Sequence, residues 1–204
     1  MKGKVYTSWT LGILAGVFAL TFLFSCQQQQ KTIPAELTEI TTGRVGPIFV
    51  DSDMSDIDLS PLGWSMSGQY RSSGRDVLEP VALVMDEDEK VLMELMRVFD
   101  DEAQSFTDKI GAIAVVSPIF KTEDGVHTGM TLRAILDKGL EAEPYYSGIS
   151  ETFWLRLSNH EGINFIIEPE AYTGDTHQIG KENIDLLEIG DFAPNGKITK
   201  ILVY

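Results

Sequence analysis

The chain has 204 residues, a formal net charge of −15 and a single cysteine. That balance argues against nucleic acid or anionic lipid headgroups as partners held by a general electrostatic field. One cysteine leaves no intramolecular disulfide and no cysteine-based metal site, so the fold must rest on its core.

The amino terminus reads as an export signal. Lys2 and Lys4 precede an uncharged, mostly apolar run over 9–24. This run is shorter than the roughly 20 apolar residues a spanning helix needs. It ends in Leu23-Phe24-Ser25-Cys26. A branched apolar residue, then a small one directly before Cys, resembles the lipobox of bacterial lipoproteins, with Phe24 bulkier than usual. The resemblance implies removal of residues 1–25 and lipidation of Cys26. Several acyl chains at about 0.8 kcal/mol per buried methylene would hold the protein firmly on a membrane. Removing Lys2 and Lys4 takes the balance from −15 to −17 and leaves 179 residues. Residues 26–42, in which four glutamines follow Cys26, read as the lipidated Cys and a polar tether. Gln27 after the lipidated position points to the outer membrane under the enterobacterial sorting rule.

Beyond the tether, one pattern occurs twice, over 43–120 and 121–204. Lys109-Ile110-Gly111-Ala112-Ile113-Ala114-Val115 and Lys197-Ile198-Thr199-Lys200-Ile201-Leu202-Val203 share Lys-Ile-x-x-Ile-x-Val at a spacing of 88 residues. Both read as closing strands. Upstream, 43–48 and 125–131 each place two glycines before an expected helix. The first helix falls around 56–64 and contains Pro61, which weakens it. The second starts at Thr131, a suitable cap, with Leu132, Ile135, Leu136 and Leu140 on one face. Hairpins are expected over 81–85 with 91–96, across the acidic turn 86–90, and over 153–157 with 163–167. Residues 173–182 read as a surface insertion. The expected fold class is α+β: an antiparallel sheet with helices on one face, built from two tandem related units.

The run from Lys109 to Pro118, followed by an acidic loop and Gly125-Val126-His127-Thr128-Gly129-Met130-Thr131-Leu132, resembles a family of small Gram-negative envelope lipoproteins of unknown function. The repeated unit also resembles those of outer-membrane assembly lipoproteins and the secreted β-lactamase inhibitory protein. That resemblance implies an envelope compartment and a protein-binding role, and it carries no catalytic residues.

Recognisable catalytic equipment is missing. His127, His160 and His177 have no metal-ligand spacing. Gly63-Trp64-Ser65-Met66-Ser67-Gly68 has one residue too many for a nucleophile elbow. Three weaker candidates remain. His127 lies between Gly125 and Gly129, where a ligand could approach backbone and helix terminus. Tyr145 and Tyr146, between Pro144 and Ser147, suit an exposed contact, whereas Phe153 or Trp154 reads as core. Asp51, Asp53, Asp56 and Asp58 could share calcium, although the segment lacks the central Gly and closing Glu of an EF-hand. The expected function is a non-catalytic, membrane-anchored module that binds a protein or other envelope component. An envelope glycan hydrolase using two unidentified carboxylates, and a calcium-binding structural module, are the alternatives.

Overall fold

The computed structural model describes residues 33–72, 78–148, 150–174 and 187–204. The expected signal peptide, Cys26, most of the tether, His177 and most of the 173–182 insertion lie outside the described residues. Pro34–Tyr204 form one compact unit.

Three short strands open the unit: β1 (Glu39–Thr41), β2 (Arg44–Val45) and β3 (Ile48–Phe49). Four longer ones follow as a meander: β4 (Ser65–Ser72), β5 (Leu78–Met85), β6 (Val91–Asp100) and β7 (Ser105–Val115). After β8 (Lys121–Thr122) comes helix α1 (Leu132–Leu136). A second meander then runs through β9 (Ala142–Ser147), β10 (Thr152–Leu157), β11 (Ile163–Ile167) and β12 (Ile198–Val203). The two meanders form one antiparallel sheet of eight strands in the order β4-β5-β6-β7-β12-β11-β10-β9. A small sheet, β3-β2-β1-β8, is closed by a parallel pairing of β1 with β8.

The two closing strands meet at the middle. β7 and β12 pair with Ala114 opposite Leu202, Val115 opposite Ile201 and Ile113 opposite Val203. Ala114 and Leu202 are separated by the same 88 residues as Lys109 and Lys197. Each closing strand therefore pairs with its own counterpart, and an approximate twofold axis runs through the Ala114–Leu202 pair. The segments ahead of them obey the same axis. The Asp51 N–H donates to the Ile110 carbonyl (2.8 Å) and the Ile110 N–H to that of Ser52 (3.0 Å). In the second half, the Gly129 N–H donates to Ile198 (2.7 Å) and the Ile198 N–H to Met130 (3.0 Å). Asp53 and Thr131 then bridge Lys109 and Lys197. Asp51 and Gly129 both sit at positive φ, 66° and 83°, so this turn demands a left-handed residue in either half.

Cross-strand partners share a face, and that alternation assigns the core. On one side stand Val84, Met93, Leu95, Ile113, Val115, Ile201, Val203, Phe165 and Leu155, all fully buried. Fully burying a side chain of this size stabilises by about 1.5–3 kcal/mol. The layer that covers them carries Ile40, Val45, Ile48, Phe120, Val126, Leu132 and Ile135, each 2% exposed or less.

That layer corrects the expected fold class. Among the described residues α1 is the one α-helix, and it has five residues. The covering layer is the small sheet with short 3-10 turns and α1, so the protein is mostly β rather than α+β with helices across a sheet face. The reasons are local. In the first half, Pro61 falls in a 3-10 turn, Ser60–Leu62, and Gly63 ends it in the left-handed region at φ 73°. A second 3-10 turn, Met54–Asp56, takes the remaining space. In the second half, Asp137 caps α1 and Gly139 turns at φ 76°. Leu140 is thereby cut off from the helical face, and Leu136 is 41% exposed.

Candidate functional site

The other side of the large sheet carries a groove of about 540 Å³, lined by side chains from β4, β5, β6, β7, β10, β11 and β12. Strands this far apart can line one hollow only if the sheet curves around it, so this face is concave. Its floor is Ala114 and Leu202, the pair on the approximate axis, with Met96 and Ile166 on either side. Trp154 forms one wall. Its indole N–H donates to Thr152 Oγ1 (2.6 Å) and Ser150 Oγ (3.2 Å), which fixes the ring. Tyr145 stands behind Trp154, ring centroids 5.8 Å apart, under the Arg156 guanidinium at 4.5 Å. The Tyr145 hydroxyl donates to Asn164 Oδ1 (3.1 Å).

Charge crosses the groove as a chain of ion pairs. Arg71 bonds Glu79 (3.0 Å) and Glu94 (3.3 Å), and Lys200 holds both oxygens of Glu94, at 2.9 and 3.1 Å. The Glu94 side chain is 17% exposed, the most enclosed of the four. Two acids thus face two cations rather than each other, an arrangement that supplies fixed hydrogen-bonding groups and no free acid–base pair. Tyr204 borders the same groove. Burial pushes its phenol above the ordinary range, the nearby Tyr145 adds to the rise, and Arg71 opposes it. Burial likewise raises Tyr145, against Arg156. A smaller hollow of about 410 Å³, between Pro80, Arg97, Phe99 and Phe106, shares Glu79 and Met96 with the groove.

The candidates chosen from sequence are scattered. Tyr145 and Tyr146 are neighbours on β9 and point to opposite faces: Tyr145 to the concave side, Tyr146 onto Phe153 (5.2 Å). Of Phe153 and Trp154, one of which was expected in the core, Phe153 is the buried one and Trp154 is not. His127 bonds its own neighbour, Nδ1 donating to the Thr128 carbonyl at 2.8 Å. Gly125 and Gly129 turn the chain at φ 73° and 83°. The first donors of α1 are occupied by protein: the N–H groups of Leu132, Arg133 and Ala134 go to Gly196, Pro194 and the Thr131 hydroxyl. No anion is accommodated there without displacing these bonds.

The aspartates do not converge. Asp51 forms the turn against Ile110, Asp53 bridges Lys109, and Asp56 ends a 3-10 turn. Asp58 accepts from Ser60 Oγ (2.6 Å) and N–H (3.0 Å), which lowers its pKa. Among the described residues no group of three or more His, Cys, Asp or Glu side chains is placed to hold a metal. Among the described residues the buried histidine is His160, which packs edge-on to Phe165 and approaches Asp124 at 3.5 Å. It lies outside the groove.

Sequence reasoning missed Arg71, Glu94, Met96, Ile166 and Lys200. One signal was available: in Phe153-Trp154-Leu155-Arg156-Leu157, strict alternation puts Trp154 with Arg156, away from the buried three.

No protein-family model and no curated protein matches the chain. Among solved structures it is similar to the crystal structure of the uncharacterized protein yfeY from Escherichia coli. The TM-score is 0.52 at 14% identity, over 81% of this chain and 99% of that one. At that identity the likeness is one of fold. Among the described residues no helix is long and apolar enough to cross a membrane.

Proposed function

We propose that the protein is a lipid-anchored envelope lipoprotein of the binding or adaptor kind, which engages a protein or other envelope component through the concave face of its sheet. The observation that carries this reading is the groove itself. It combines an oriented indole, an apolar floor and a fixed row of paired charges, the mixture expected of a recognition site. Its acids are held by Arg71 and Lys200, which favours recognition over hydrolysis. The anchor rests on the sequence at Leu23-Phe24-Ser25-Cys26.

Two experiments test the two parts. Cells fed an alkyne-bearing palmitate should label the chain and leave Cys26→Ser unlabelled; an unlabelled natural chain would sink the anchor. For the groove, tryptophan emission is followed while the protein is titrated separately with lipid, glycan and protein fractions of the envelope. One fraction should shift the emission, and Trp154→Phe should abolish the shift. A shift that survives in Trp154→Phe, or no shift with any fraction, would overturn the groove reading.

A further inference from the structure

We propose that β4 is a self-association edge, on which a second copy of this chain pairs antiparallel about Gly68 to extend the sheet across a twofold axis. β4 is an outer strand of eight residues, and among the described residues its free edge has no strand partner. A long open edge is a template for another strand unless something blunts it. The opposite edge is blunted: β9 has six residues and carries Pro144, which has no N–H to donate. β4 has no proline, no lysine and no acid. Its one charge, Arg71, is turned inward to Glu79 and Glu94.

The side chains select the occupant. Met66, Gly68 and Tyr70 share one face of β4, opposite Val84, Ala82 and Pro80. The covering layer does not reach the two larger ones: Met66 is 39% and Tyr70 74% exposed. In an antiparallel self-pairing centred on Gly68, Met66 of each copy lies directly opposite Tyr70 of the other. Both exposed apolar groups are then used twice by one contact, as an isologous interface requires. The two Gly68 residues face each other on the axis, where a Cβ would meet nothing within 4 Å in the single copy. On the other face Ser67 meets Gln69 and Ser65 meets Arg71, so the strand is free of like-charge opposition. The acidic excess of −15 lies elsewhere, and repulsion beyond about 8–10 Å is screened at physiological salt. A two-strand contact is small, so the dimer is weak in solution and gains from anchoring both copies on one surface.

Register-specific crosslinking tests this in solution at high protein concentration, where no anchor is needed, with the full chain carrying Cys26→Ser so that each introduced cysteine is alone. Directly opposed residues have Cα atoms about 4.5–5.5 Å apart, within disulfide reach. Gly68→Cys should give a covalent dimer on mild oxidation, and so should Met66→Cys mixed with Tyr70→Cys. Tyr70→Cys alone should give at least tenfold less, its counterpart being some four residues, or about 13 Å, away. Sedimentation of the Gly68→Lys variant, checked for a natural melting profile, should show monomer where the parent shows dimer. Equal crosslinking at 68 and 70, crosslinks only to other proteins, or a parent that sediments as monomer at every concentration would overturn the proposal.

Discussion

Single residues in this fold are constrained where backbone and neighbours act together. Gly46 sits at φ 52°, and a Cβ there would run into the Leu37 carbonyl. Gly129 is at φ 83° with open space around it. Gly129→Ala therefore meets only the backbone penalty, about 1 kcal/mol, whereas Gly46→Ala adds a clash and should cost on the order of 2–3 kcal/mol. Urea midpoints of the two variants should separate in that order. The partly enclosed phenols give a second check. Tyr145 and Tyr204 have raised pKa values, chiefly from burial. A folded state that holds these protons loses stability once pH climbs past the unfolded value of about 10, and keeps it in full below. Absorbance titration of the folded protein should show a late phenolate component that shrinks in Tyr145→Phe and Tyr204→Phe. The unfolding midpoint should fall above pH 10. Asp58 runs the other way: its bonds to Ser60 favour the carboxylate, so whatever it contributes is present above about pH 4 and lost as acid titrates it.

At the scale of elements, the apolar strands were legible and the polar ones were not. The expected 81–85, 91–96, 153–157 and 163–167 fall within β5, β6, β10 and β11. They are apolar runs, with the alternation clearest in 153–157, and acidic or Gly-containing turns bound them. The Lys-Ile-x-x-Ile-x-Val segments became β7 and β12 for the same reason. β4 was invisible because Ser-Met-Ser-Gly-Gln-Tyr-Arg-Ser carries little apolar signal; it is a strand because β5 offers it a full ladder of partners. β9 likewise carries no strand signal, since Pro144 interrupts its run. The helices failed differently. The spacing of Leu132, Ile135, Leu136 and Leu140 was helical, but Gly139 stopped the helix after five residues. Strand packing is where stability should concentrate. Phe165→Ala, a fully buried ring beside Ile201 and Leu155, should cost about 3–5 kcal/mol by chemical denaturation.

For the whole molecule, two halves contribute four strands each, and the central pair places Ala114 and Leu202 at the floor of the concave face. The site was illegible in the sequence for that reason. Arg71, Glu94, Trp154 and Lys200 come from four strands on both sides of the centre, and no local spacing relates them. The ion-pair chain is part of the same construction. Lys200→Met should leave Glu94 with Arg71 alone and cost on the order of 1 kcal/mol, with the loss reduced at high salt. The claim that matters most is that this concave face is where the protein meets its partner. Photocrosslinking in native envelopes addresses it directly, with a benzophenone side chain at Met96 or Thr152 in the groove, or at Asp88 in the exposed turn before β6. The account predicts one shared adduct from positions 96 and 152, absent from 88 and lost when Trp154→Ala is added. No adduct from the groove positions, or the same adduct from all three, would contradict it.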